Sequence, residues 1–265
     1  MIEEKKKNIL CVENLTIGYK IKKSNLVVAE KIDFSLGESQ LVGLVGANGI
    51  GKSTLLRTLI KVQPSLSGRI KINNENLEEI NALELAKKLS IVLTDPLSTA
   101  NLSIYELVAL GRHPYTNWIG KLSEADEAII SRALDLVKIS DLSAKKCYEL
   151  SDGQLQKVMI ARALVQDTDI IILDEPTTHL DMYHKAYILK LLKDLTKETG
   201  KTILFSSHEI DLAIQLCDTM IVMTNEGVIC DEPCNLIANG VFESLFPKDL
   251  ILFDNSTGSF RVNKS

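Results

Sequence analysis

"GANGIGKST", residues 46–54, is the stretch on which the fold turns. It fits G-x-x-x-x-G-K-[ST] through Gly46, Gly51, Lys52 and Ser53, and it stands between two periodic segments. "SQLVGLVG", just before it, is an apolar strand ending in glycine, and "GKSTLLRTLIKV", just after, has helical spacing. Such a turn lets the backbone N–H groups of Gly46, Ala47, Asn48, Gly49 and Gly51 curl around an anion, with the helix start adding its positive dipole end. Lys52 brings a point charge to β and γ phosphates, the Ser53 hydroxyl can ligate magnesium, and Thr54 closes the set of candidate nucleotide-binding residues. Glycine-rich turns between strand and helix are common. The complete motif in this context is not.

Two further strands carry chemistry at their carboxyl ends, where ligands of open α/β sheets sit. "IIILDEP" delivers Asp174, suited to holding magnesium through water, and then Glu175, one residue nearer the γ-phosphate. A carboxylate there can orient or deprotonate an attacking water. "FSSHE" repeats the geometry and ends in Ser207 and His208, whose imidazole can reach toward the γ-phosphate and the water. An acidic pair ending a strand is by itself more often a cap or a solvated turn. Beside the first motif, hydrolysis is the better reading.

Working outward, "ILCVENLTIGY" and "LVVAEKIDFSL" alternate like antiparallel strands, and residues from about 101 to 165 turn helical. Strand and helix then alternate again, through "DMYHKAYILKLLKDLTKET" to a hairpin around Asn225, Glu226 and Gly227. The expected fold is α/β: a P-loop (RecA-like) core with a mostly parallel sheet, an N-terminal antiparallel β subdomain and an inserted α-helical subdomain. We read one domain over 1–265, with 1–93 and 166–265 as core and about 94–165 as the insert. The tail "FDNSTGSFRVNKS" has the turn residues of a small hairpin.

The 265 residues are 45% hydrophobic and 25% charged with a net charge of -5, the profile of an ordinary globular protein and a poor one for wrapping nucleic acid. No window approaches the roughly 18–20 apolar residues needed to cross a bilayer, and "MIEEKKKNILCVENL" lacks the apolar core of a secretory signal, so a cytosolic location is expected. The five cysteines, Cys11, Cys147, Cys217, Cys230 and Cys234, are scattered, which favours reduced structural thiols over zinc ligands.

With these motifs in order, the chain resembles the nucleotide-binding subunit of ABC transporters over almost its whole length. "LSDGQ", residues 150–154, looks like that family's signature and stands a short distance before "LDEP". The resemblance implies ATP and Mg2+ as ligands, and a head-to-tail pair of two copies. In that pair Ser151, Gly153 and Gln154 of one copy bind the γ-phosphate held by the other. Tyr19 would stack on the adenine, unless it is simply a strand-edge tyrosine. "THLD" looks like the loop that contacts the partner copy and positions Glu175, although Asp181 would serve equally well capping the next helix. His208 matches the family's switch histidine. Asp152, where relatives usually have glycine, would either turn away to complement the helix dipole or meet a base on the partner.

One family residue is missing. The usual glutamine at the end of the strand entering the insert is replaced by Thr94, followed by Asp95; threonine still offers an oxygen toward the metal but reaches less far, so Thr94 is expected to keep a water-mediated contact to Mg2+ unless Asp95 substitutes for it. In the insert, Gly111, Arg112, Pro114 and Tyr115, a spacer with Gly120, then "LSEAD" look like the ATPases of importers for iron–siderophore, haem and cobalamin complexes. The plainer reading is that Arg112 and Tyr115 punctuate a helix end at Pro114. The importer reading brings a multi-spanning permease, an extracytoplasmic substrate-binding protein and a peripheral place on the cytoplasmic face of the membrane. Trp118 would contact the permease or pack inside the insert. An efflux motor of the same fold, or a soluble ABC-type ATPase acting on nucleic acid or ribosomes, are the alternatives. The single P-loop and acidic balance disfavour the last, so no nucleic acid partner is expected.

Overall fold

The computed structural model describes residues 8–21, 24–93, 101–117, 120–247 and 249–263; Thr94, Asp95 and Trp118 lie outside the described residues. In chain order, β1 (Asn8–Ile21), β2 (Ser24–Gly37), β3 (Leu41–Gly46), α1 (Lys52–Leu59), β4 (Ser67–Ile72), β5 (Glu75–Asn76), α2 (Ala82–Lys88) and β6 (Leu89–Val92) come first. The α-helices α3 (Ile104–Ala109), α4 (Glu124–Leu136) and α5 (Asp152–Val165) follow. The chain then returns to alternation with β7 (Ile170–Leu173), α6 (Met182–Thr199), β8 (Thr202–Ser206), α7 (Ile210–Leu216), β9 (Thr219–Thr224) and β10 (Gly227–Asp231). It ends with α8 (Pro233–Ala238), β11 (Ile251–Asp254) and β12 (Ser259–Val262).

One sheet has the order β10-β9-β3-β8-β7-β6, parallel from β9 to β6 with β10 antiparallel at the edge; a second, antiparallel sheet has the order β2-β1-β4-β5. The strands of the parallel sheet read as unbroken apolar runs because both faces are covered. Leu41, Val45, Ile171, Leu173, Ile203 and Phe205 point into a core shared with the helical insert and α6. Their neighbours Val42, Leu44, Ile170, Ile172 and Leu204 point the other way, into a core shared with α1 and the antiparallel sheet. Each such side chain contributes about 1.5–3 kcal/mol by leaving water. A rigid sheet edge is the result.

Register brings the motifs together. Leu44 lies opposite Ser206 across β3 and β8, Leu173 opposite Phe205 across β7 and β8, and Val92 opposite Leu173 across β6 and β7. Gly46, Asp174 and His208 therefore emerge side by side at the carboxyl edge, and the Asp174 N–H donates to the Val92 carbonyl at 2.9 Å.

The insert is fastened through Arg112. Its Nε donates to Asp126 Oδ1 at 2.7 Å, its Nη1 to the Val165 carbonyl at the end of α5 at 2.7 Å, and the guanidinium stacks 4.1 Å from the Tyr115 ring centroid. The Tyr115 hydroxyl donates to the Gln166 carbonyl at 3.0 Å, and the Gln166 amide in turn donates to the Leu89 carbonyl at 3.0 Å. Residues 110–115 do form a tight 3-10 turn through Pro114, but Arg112 and Tyr115 join the insert to the core as well.

The tail forms the β11–β12 hairpin, with the Phe253 and Phe260 rings 4.9 Å apart. All five cysteines are free, and burial pushes the Cys217 thiol up and the Cys230 thiol up to about 12, which keeps both protonated near neutral pH.

Candidate active site

At the start of α1, Gly51 has φ 116°, a left-handed conformation, and a Cβ there would meet Val28 Cγ1 at 2.5 Å. Only glycine fits. The helix start has no side-chain cap and no acid in its first turn, the setting in which the first N–H groups of a helix can take an anion. Lys52 is buried and donates to the carbonyls of Gly46 at 3.0 Å and Ala47 at 3.2 Å. Burial pushes its ammonium below the ordinary lysine range, while the Glu175 and Asp174 carboxylates push it back up. The lysine is stored beside the phosphate cradle with its charge partly compensated.

Ser53 Oγ donates to Asp174 Oδ1 at 3.5 Å, and Ser206 Oγ donates to the same oxygen at 2.6 Å. Ser206 also accepts the Glu175 N–H at 2.9 Å. No sequence motif marks this serine; its only signal is a hydroxyl at the last position of a mostly apolar strand. Glu175 has φ 47°, an uncommon conformation for a non-glycine residue that concentrates at functional sites. Its Oε1 lies 2.7 Å from His208 Nε2, and its Oε2 accepts from Thr178 Oγ1 at 3.1 Å. A carboxylate only accepts, so the His208 proton sits on Nε2.

Glu175 and His208 line a cleft of about 510 Å³ together with Tyr19, Val28, Asn48, Gly49, Lys52 and Ser53. That volume suits a small-molecule ligand. Tyr19 is 43% exposed and its hydroxyl is 3.2 Å from Thr54 Oγ1, so the phenol is tethered to the P-loop helix while the ring stays open to the cleft.

The signature residues are elsewhere. Ser151 caps α5, accepting the Gln154 N–H at 3.4 Å, while Gln154 Oε1 accepts the Ser151 N–H at 3.1 Å. Asp152 is exposed in the first turn, where an acid complements the dipole. None of Ser151, Gly153 and Gln154 lines the cleft of its own chain. Asp181 caps α6, accepting the His184 N–H at 2.8 Å, and is exposed.

Residues 29–178 match the family model for the ABC transporter domain. The chain belongs to the ABC transporter family. It is an ABC ATPase, an ATP-binding and ATP-hydrolysing subunit. Among its relatives, the iron(3+)-hydroxamate import ATP-binding protein of Bacillus subtilis is 36% identical over 84% of this chain and 81% of its own. The achromobactin transport ATP-binding protein of Dickeya dadantii is 34% identical over 89% of this chain and 86% of its own. Among solved structures, cbiO1 of Clostridium perfringens, part of the ABC transporter complex cbiONQ, superposes with a TM-score of 0.78 at 31% identity, covering 88% of this ABC ATPase and 91% of that chain.

Proposed function

We propose that this ABC ATPase is the motor subunit of an importer for iron–siderophore, haem or cobalamin-type complexes. The hydrolytic part rests on one arrangement, the Glu175 carboxylate held by His208 and Thr178 beside Lys52 and Asp174 at the sheet edge. The import part rests on the relatives named for achromobactin transport and iron(3+)-hydroxamate import, each matched over most of the chain.

In this reading Tyr19 flanks the adenine, the N–H groups of residues 46–51 and Lys52 cradle the phosphates, and Thr54 and Ser53 close the cradle. Ser53 and Asp174 offer oxygen donors 3.5 Å apart, the ligand type Mg2+ takes. Among the described residues no group of three or more His, Cys, Asp or Glu side chains could hold a metal alone, which fits an ion shared with phosphates and water. Bound there, Mg2+ offsets negative charge on the phosphate oxygens. Glu175 accepts the proton of the attacking water as the water oxygen bonds to the γ-phosphorus and ADP leaves. His208, donating from Nε2, keeps the carboxylate turned toward that water.

A second copy completes the site. The signature turn lies outside its own chain's cleft, and the exposed Tyr148, Met182 and Tyr183 flank it and the Asp181 loop, as an interface requires. Head-to-tail docking then sets Ser151, Gly153 and Gln154 on the partner's phosphates. Closure around two ATP molecules drives a multi-spanning permease from the cytoplasmic face of the membrane, with an extracytoplasmic binding protein delivering cargo. Assembly with further chains is supported by cbiO1, which is part of a transporter complex.

The test is recovery of the tagged chain from detergent-solubilised membranes. We expect a permease to accompany it, and ATP-dependent uptake of a ferric or cobalt chelate into vesicles carrying the complex. Recovery with ribosomes or DNA and no permease would overturn the motor reading, and outward transport would overturn import.

A further inference from the structure

Asp181 has a second partner besides the helix N–H it caps. His184 Nδ1 lies 2.9 Å from both of its carboxylate oxygens, so the proton on that nitrogen is shared with the carboxylate. The Cδ2 side of the same ring lies against Gly153: a Cβ built there would meet His184 Cδ2 at 3.0 Å and Cγ at 3.6 Å. Gly153 is buried although its neighbours Ser151 and Asp152 are exposed, and the His184 ring supplies the three nearest atoms that a Cβ there would meet. One turn further along, Lys157 Nζ lies 4.6 Å above the Tyr187 ring, so α5 and α6 stay in contact beyond the glycine. Tyr183 stands edge-on to His184 at 5.4 Å and is 72% exposed.

The loop that ends at Asp181 begins at Glu175. Thr178 Oγ1 donates to Glu175 Oε2 at 3.1 Å, so residues 175–181 form a short strap fixed to the hydrolytic carboxylate at one end and to His184 at the other. We propose that His184 is a positioning residue that couples the two hydrolytic sites of the dimer. It ties the strap of one site to the signature turn that serves the other. The proposal rests on the head-to-tail reading. When the partner's phosphate engages residues 151–153, displacement of Gly153 reaches the ring directly, because no side chain intervenes and close-packed groups transmit displacement. The ring passes it to Asp181, and the strap passes it to Glu175. Phosphate at one site then sets the base at the other.

The test is ATPase kinetics of the full chain, with nucleotide affinity read separately by titration of a fluorescent ATP analogue. In His184→Ala we expect kcat to fall about 10-fold, affinity to stay within about twofold, and the Hill coefficient for ATP to fall toward about 1. His184→Asn, whose amide nitrogen sits near the place of Nδ1, keeps the bond to Asp181 and recovers most of the rate. Gly153→Ala crowds the ring and slows turnover too, and the double variant Gly153→Ala/His184→Ala is no slower than His184→Ala alone, because both act through one contact. Unchanged kcat and Hill coefficient in His184→Ala, strictly additive losses, or an equal fall in affinity would each overturn the coupling role. If Glu175→Gln fails to dimerise with ATP, the head-to-tail reading falls and takes this inference with it. If it dimerises while His184→Ala keeps full cooperativity, the inference alone falls.

Discussion

The starts of α1 and α5 both carry a glycine, Gly51 just before the first turn and Gly153 within it, yet they treat their N–H groups in opposite ways. At α1, Gly51 provides no cap, no acid stands in the first turn, and the positive charge of Lys52 waits alongside. At α5, Ser151 and Gln154 form a reciprocal capping box and Asp152 adds a carboxylate. An uncapped helix start is stable only beside a ligand or water, so α1 is built for an anion bound in its own chain. A self-capped start holds its shape with no phosphate near it. In the proposed head-to-tail pair, α5 is therefore already formed when another copy brings its phosphate.

The largest effects should break the α1 side. Glu175→Gln removes the proposed base but keeps the shape and an acceptor oxygen for Thr178. We expect hydrolysis to fall about 10²–10⁴-fold with ATP binding retained and the dimer trapped closed, as read by single-turnover ATPase assays and size-exclusion chromatography with ATP. Normal turnover would remove Glu175 as the base. Lys52→Ala should act on binding itself, lowering kcat/KM about 10²–10³-fold, with the fluorescent-ATP titration weakened in step. A loss confined to kcat would mean that the buried ammonium acts only after the nucleotide is seated.

The same contrast explains what could be read from the chain alone. The α1 side is local: strand, glycines, Lys52 and Ser53 are contiguous, and Asp174 and His208 end strands whose apolar runs announce a parallel sheet. Their meeting at one edge follows from strand order. The α5 side is tertiary. Gly153 meets His184 from 31 positions away, and Arg112 meets Asp126 and Val165 through folding, so no spacing rule points to either contact. α2 escaped for another reason. It has seven residues, too short for helical periodicity to stand out, although Asn81 accepting the Glu84 N–H is the kind of cap that announces a helix start.

A middle-sized effect should loosen the α5 side from its far end. Arg112 and Asp126 are both buried, and the ion pair holds the last carbonyl of α5 in place. Replacing Asp126 by Asn strands the Arg112 charge, at the lower end of the range for breaking a buried pair because Asn keeps one acceptor, about 3 kcal/mol of stability. Hydrogen bonds from Ser123 and then from Arg112 hold the Asp126 carboxyl at about 2, down from an ordinary 3.8. A depressed carboxylate stabilises the fold above its unfolded value and loses that contribution as pH falls toward the folded one. Urea midpoints of wild type and Asp126→Asn should therefore differ most near neutral pH and converge between about pH 4 and pH 2. Nucleotide affinity of the single chain should barely move, since the α1 side does not depend on this pair. A gap that persists unchanged at pH 2 would mean that the charge of Asp126 is not what holds α5.

The smallest effect tests the acid that distinguishes the two helix starts. Asp152 is exposed and lies in the first turn of α5, where it complements the dipole by about 0.3–1 kcal/mol. In the proposed pair that contribution is present both in the free chain and in the closed dimer, so it cancels from the dimerisation equilibrium. What does not cancel is repulsion between the carboxylate and the partner's triphosphate, which water and salt screen at an exposed position. Asp152→Gly should thus lower thermal stability slightly while tightening ATP-dependent dimerisation less than about fivefold, and raising the salt from 0.05 to about 0.5 M should erase most of that gain. Analytical ultracentrifugation with ATP in the Glu175→Gln background measures both. Tightening beyond about tenfold, insensitive to salt, would mean that the acid faces the phosphate directly and opposes closure, and that the self-capped start of α5 serves as a brake on the dimer rather than as its ready-made half.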